Sequence, residues 1–89
     1  MEEDDFLTRM EKEGRELEER LEKASSFLDV VYRKTPEEKE EFYKKNDIDD
    51  GDIDLLQAQT TAMATYSNIL LLRVNIERSE RGLPTIAQF

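Results

Sequence analysis

From Leu55 to Leu72 the sequence LLQAQTTAMATYSNILLL runs for eighteen residues without one Asp, Glu, Lys or Arg, although 39% of the 89-residue chain is charged. Neither Gly nor Pro interrupts the sequence from Asp52 to Arg81, and Gly82 and Pro84 then supply a helix stop. The pattern predicts one long helix over 52–80. The uncharged run approaches the roughly 20 residues that cross a bilayer. Its Gln57, Gln59, Thr60, Thr61, Thr65, Tyr66, Ser67 and Asn68 make it too polar for a membrane span. Three stripes run along this helix. The first is Ile53, Leu56, Thr60, Met63, Ser67, Leu70 and Val74, and the second is Leu55, Gln59, Ala62, Tyr66, Ile69, Arg73 and Ile76. The third, Gln57, Thr61, Thr65, Asn68, Leu72 and Asn75, is polar without charge.

Upstream, Leu7, Met10, Gly14, Leu17, Leu21, Ala24, Leu28 and Val31 follow each other in alternating steps of three and four, which is a heptad seam. Charged residues surround it and allow i to i+4 pairs such as Glu16 with Arg20 and Glu19 with Lys23. A long amphipathic helix over 3–33 is expected, with Phe27, Val30 and Tyr32 widening its apolar surface near the end. Gly14 costs about 1 kcal/mol against Ala inside a helix, so its place in the seam predicts a close approach by a partner helix. Thr35-Pro36-Glu37-Glu38 carries the signs of a helix start: a Thr cap, Pro in the first turn and Glu38 placed to close a capping box. A short helix over 36–45 should follow, capping one end of the bundle with Phe42 and Tyr43. Asn46 to Gly51 reads as a turn, with Asp49 or Asp50 as the next N-cap.

The expected fold class is therefore all-α: a long helical hairpin with a short intervening helix, in a single domain over 1–89. A tail over 82–89 ends in Phe89, which either docks on a neighbour or frays. Twenty of the 22 acids and ten of the 13 bases precede Leu55. A lone hairpin would expose the third stripe and much of the second, where solubility normally calls for Lys and Glu. Shielding by copies of the same chain, in a helical-bundle homo-oligomer, accounts for their absence. The alternative is a marginal monomeric hairpin with a Thr-rich face.

With a net charge of -9 and a pI near 4.5, the chain is expected to be repelled by phosphate backbones and anionic lipid, so neither direct nucleic-acid binding nor membrane binding is foreseen. The absence of Cys and His removes disulfides, thiol nucleophiles and the usual neutral-pH proton shuttle. The acidic start Met1-Glu2-Glu3-Asp4-Asp5 does not resemble a secretory signal, which suggests a cytoplasmic protein. A calcium loop with Gly51 at its sixth position would require Ile48 and Gln57 as ligands and fails. No metal, no cofactor and no catalysis are expected. The candidate ligand-binding residues are Gln59, Thr65, Tyr66, Asn68 and Arg73. Tyr66 can stack on a base, Gln59 and Asn68 can read its edge, and Arg73, the first basic residue after Lys45, can fork onto a phosphate. Equally, Arg73 can pair with an acid of the first helix such as Asp29, and Tyr66 can belong to the core with its hydroxyl satisfied.

Leu55-Leu56, Gln59, Ala62-Met63, Tyr66, Ile69-Leu70 and Arg73, preceded by the stretch from Leu17 to Leu28, form a pattern that resembles small helical accessory proteins of tailed phages and prophages, among them a family named after a crAss-like phage. The likeness covers residues 17–77. The Asp-rich connector and the helix at 36–45 depart from it, so assembly geometry does not carry over. The resemblance implies a phage-encoded counter-defence protein acting in the infected bacterial host cell. Such proteins include non-enzymatic sponges that bury a cyclic nucleotide or a cyclic ADP-ribose type ligand at subunit interfaces, and others that bind a host immune protein. The acidic face over residues 2–23 suits the second kind, as a blocker or DNA mimic of a host nuclease or sensor.

Overall fold

The computed structural model describes residues 5–89 and consists of three helices: α1 (Phe6–Tyr32), α2 (Pro36–Asn46) and α3 (Asp50–Glu80). Among the described residues there is no strand. Helix α1 begins at Phe6 because Asp5 is its cap, its Oδ1 accepting the Thr8 N–H at 2.9 Å. Residues 3 and 4, which the expected helix included, lie outside the described residues. Its end falls at Tyr32, with Arg33 as C-cap. The capping box before α2 is complete: Thr35 Oγ1 accepts the Glu38 N–H at 3.2 Å, and Glu38 Oε1 accepts the Thr35 N–H at 2.9 Å. The acids of the Asp-rich turn serve the helix ends. Asp47 closes α2 in the left-handed region at φ 55°, and Asp49 and Asp52 exchange hydrogen bonds of 3.0 and 2.9 Å that open α3. With Asp49 as cap, Asp50 and Gly51 fill the first turn, so α3 starts two residues before the expected 52.

Helices α1 and α3 pack antiparallel into an elongated hairpin of 55 × 26 × 16 Å. The heptad seam of α1 faces the first stripe of α3. Leu7, Met10, Gly14, Leu17, Leu28 and Val31 are buried on one side, and Ile53, Ser67, Leu70 and Val74 on the other. The core has two parts. Leu7, Met10, Leu70 and Val74 form one cluster, with Ile86 and Phe89 against it; Leu28, Val31 and Ile53 form the second, covered by Phe42, Tyr43, Ile48 and Leu56. Helix α2 thus caps that end through the two aromatics the sequence singled out. Between the clusters lies a polar waist, where buried Ser67 donates its hydroxyl proton to Glu18.

Two expectations change. Val30 and Tyr32 do not join the seam and stay 54% and 48% exposed, because Val31, between them, takes the inward position. Phe27 instead meets Phe42 of α2 at 6.0 Å between ring centroids. Gly14 makes room for an aromatic ring of the chain's own tail rather than for a partner helix: a Cβ there would sit 2.3 Å from two carbons of the Phe89 ring.

The tail folds back onto its own chain. Gly82, at φ 74°, ends α3 with the Leu83 N–H bonded to Arg78 O at 2.8 Å, a Schellman closure. The Asn75 amide then clasps the returning backbone, donating to Ile86 O and accepting the Ile86 N–H, both at 2.8 Å. Arg78 bridges Pro84 O at 2.6 Å and Glu11 at 2.7 Å, while Arg81 pairs with Asp5 and Glu77. Among the described residues no helix is long and apolar enough to cross a membrane.

Candidate functional site

With the first stripe of α3 committed to α1, the other two are left in the open, as the hairpin argument required. On the second stripe Leu55 is 71% exposed, Tyr66 40%, Ile69 47% and Ile76 60%, with Gln59, Ala62 and Arg73 exposed among them. Leu72, on the adjoining stripe, is 65% exposed. Single exposed apolar residues are ordinary on any protein. Five on one side of one helix, with Arg73 the one charge from Leu55 to Ile76, are not.

Local chemistry makes this face drier than its composition suggests. The hydroxyls of Thr60, Thr61 and Thr65 donate back to the carbonyls of Leu56, Gln57 and Thr61 at 2.8, 3.1 and 3.2 Å. Their polar protons are spent within α3, so an approaching group meets methyls and an oxygen able only to accept. Among the candidate residues, Thr65 has its hydroxyl donor already used in this way.

Gln59, Tyr66 and Arg73 share a flank at a spacing of seven, whereas Thr65 and Asn68 lie on the neighbouring back stripe and are exposed. The Tyr66 hydroxyl donates to Glu13 Oε2 at 2.6 Å, which anchors the ring from α1 and leaves part of it open. That bond to a carboxylate is the main cause of a phenol pKa raised above its usual 10.0, partial burial adding to it and the positive charge of Arg73 working against it. Sequence reasoning allowed Tyr66 to be a core residue with its hydroxyl satisfied; the hydroxyl is satisfied, but the ring is 40% exposed and the partner, Glu13, was not foreseen. The signal was weak, because Glu13 is one of many carboxylates on that helix.

Arg73 differs from its neighbours. Arg78 and Arg81 are fully engaged in ion pairs and a carbonyl contact, while among the described residues Arg73 has no hydrogen-bond or ion-pair partner. Asp29, the acid suggested for it, pairs with Arg33 one turn along at 3.1 Å. Arg73 lines a shallow cleft of about 200 Å³ with Phe6, Met10, Ile76 and Glu77. Phe6, from α1, extends the apolar surface there and was not foreseen, since it precedes the seam. Within one chain the five candidate residues occupy an open surface rather than a concave pocket. Larger depressions lie elsewhere, among them one of about 600 Å³ beside Phe89 and one of about 630 Å³ against α2. Among the described residues no group of three or more acids converges so as to hold a metal ion.

Comparison with known proteins adds one finding. A family model described as Sequestin matches residues 4–76, the span that holds α1, α2, nearly all of α3 and every candidate residue. No curated protein matches the chain, and no solved structure does. The family is named for sequestration, which denotes binding rather than catalysis.

Proposed function

We propose that this chain, which belongs to the Sequestin family, is a non-catalytic counter-defence protein of a tailed phage or prophage. It captures a small nucleotide-type immune signal where copies of α3 meet, in the cytoplasm of the infected bacterial cell. The observation that carries this reading is the open flank of α3, on which an anchored aromatic ring and an unpartnered guanidinium stand among apolar side chains. A base can stack on Tyr66 while Arg73 forks onto a phosphate. Gln59 and Asn68 supply amide edges, and Thr65 supplies an acceptor. Among the described residues no acid pairs with Arg73, so a phosphate need not displace an existing ion pair there.

The test is a melting and calorimetry series with cyclic dinucleotides, cyclic trinucleotides and cyclic ADP-ribose isomers. A true ligand at a hundred times its Kd adds about 2.7 kcal/mol of stability, a melting shift on the order of 10 °C for a chain this size. Arg73→Ala should abolish the shift while the variant keeps a cooperative melting transition, which separates lost capture from lost folding. If none of these nucleotides moves the transition at large excess, the reading fails.

The rival reading, an acidic protein that blocks a host nuclease or sensor, is weakened by the use to which α1 puts its carboxylates. Glu11, Glu13 and Glu18 are already bonded to Arg78, Tyr66 and Ser67 of α3, so part of the acidic face is engaged in the hairpin's own contacts. Charge reversal at the exposed Glu16 and Glu19 should leave nucleotide capture unchanged.

A further inference from the structure

Along α3, at 1.5 Å per residue, Gln59 and Arg73 stand about 21 Å apart with Tyr66 midway. A nucleotide stacked on Tyr66 with its phosphate on Arg73 therefore turns away from Gln59 of the same chain. Symmetry removes this difficulty. Counted from Tyr66, Gln59 lies seven residues before and Arg73 seven after, Ala62 four before and Ile69 three after. We infer that a second copy of the chain packs its α3 antiparallel on this flank, about a twofold axis at Tyr66, and completes the capture site with its own Gln59.

In that arrangement Ala62 faces Ile69 of the second copy, a small side chain against a large one, and Gln59 faces Arg73, an amide against a guanidinium. A parallel pairing would set Ile69 on Ile69 and Arg73 on Arg73, crowding one layer and repelling in the next. Together with Leu72 of the adjoining stripe, the large apolar residues of this flank leave about 600 Å² open on each chain, so a symmetric pair that covered all of it would bury about 1,200 Å², the lower bound of stable interfaces. Two equivalent sites result, each with Tyr66 and Arg73 from one chain and Gln59 from its partner. The inference rests on the proposed capture function for what these sites hold; the pairing itself rests on the flank.

The chain has no cysteine, so introduced thiols are its only ones. Ala62→Cys and Ile69→Cys, both at exposed positions, are oxidised separately and as an equimolar mixture, with melting curves showing that each variant is folded. The mixture should give a disulfide-linked dimer at least tenfold faster than either variant alone. Equal or faster self-linking by each variant overturns the antiparallel pairing, and so does the absence of linkage in all three samples. The same nucleotide series run on the linked dimer separates the two ideas. Linkage without nucleotide binding contradicts capture and upholds the pairing, whereas nucleotide binding by a chain that never links overturns the pairing and upholds capture.

Discussion

Replacing Gly14 by alanine sets two effects of known sign against each other. In a helix interior the exchange gains about 1 kcal/mol from restricted backbone freedom in the unfolded chain. Here the new methyl would sit 2.3 Å from the Phe89 ring, well inside contact distance, and the ring must leave its seat. Displacing a half-buried Phe returns about 80–100 Å² of apolar surface to water, which costs about 2–2.5 kcal/mol at 25 cal/mol per Å². The net expectation is a loss of about 1 kcal/mol, or a melting temperature about 4–8 °C lower for a domain of this length. The control is the same exchange in a Phe89→Ala background. With the ring gone only the helix gain remains, so Gly14→Ala should now raise the melting temperature by a similar amount. Thermal and urea unfolding followed by far-UV circular dichroism measure all four corners of the cycle. An equal rise in both backgrounds would refute the account of the glycine, because it would mean that nothing occupies the space above it.

Other consequences follow from single contacts. Glu13→Gln should lower the Tyr66 phenol pKa toward its ordinary 10.0, because the carboxylate that accepts its proton is the first cause of the upward shift; ultraviolet titration resolves it against Tyr32 and Tyr43 variants. Asp5 is held at about 2 rather than 3.8, chiefly by the Thr8 N–H and then by Arg81, so its contribution is full above about pH 4 and disappears as the pH falls toward 2. Fraying of the α1 start in that window, absent in Asp5→Asn, would be seen by NMR of the Thr8 amide. Asn75→Ala removes both clasp bonds to Ile86 and should cost about 1–2 kcal/mol while raising hydrogen exchange at the Ile86 amide by at least tenfold.

Much of the hairpin can be read from spacing alone, because helix seams and caps are local matters. The three-four steps from Leu7 to Val31 are the buried face of α1, and Thr35, Glu38, Asp49 and Gly82 cap or close the helices where their side chains and backbone freedom demand it. What spacing does not reveal is which distant group fills a local gap. Gly14 announced a close approach, but the Phe89 that makes it is 75 residues away in sequence and reaches it only after the Asn75 clasp turns the tail back. Spacing placed Val31 in the seam, but it did not show that Val30 and Tyr32 on either side of it stay exposed instead of widening the buried surface. For the candidate site, the flank itself was legible as a missing set of charges. The anchoring of Tyr66 by Glu13 was hidden among α1's many equivalent acids, and the partner suggested for Arg73 proved to be occupied by Arg33.

The account stands on α3's flank, on which Arg73 is the one charge, being covered by another copy of the chain. Sedimentation equilibrium at micromolar concentration measures this directly. A particle of at least twice the 10.5 kDa of one chain is expected, falling to a single chain when Ala62→Glu places a charge on the flank. A wild-type particle of 10.5 kDa across the same concentrations would contradict it.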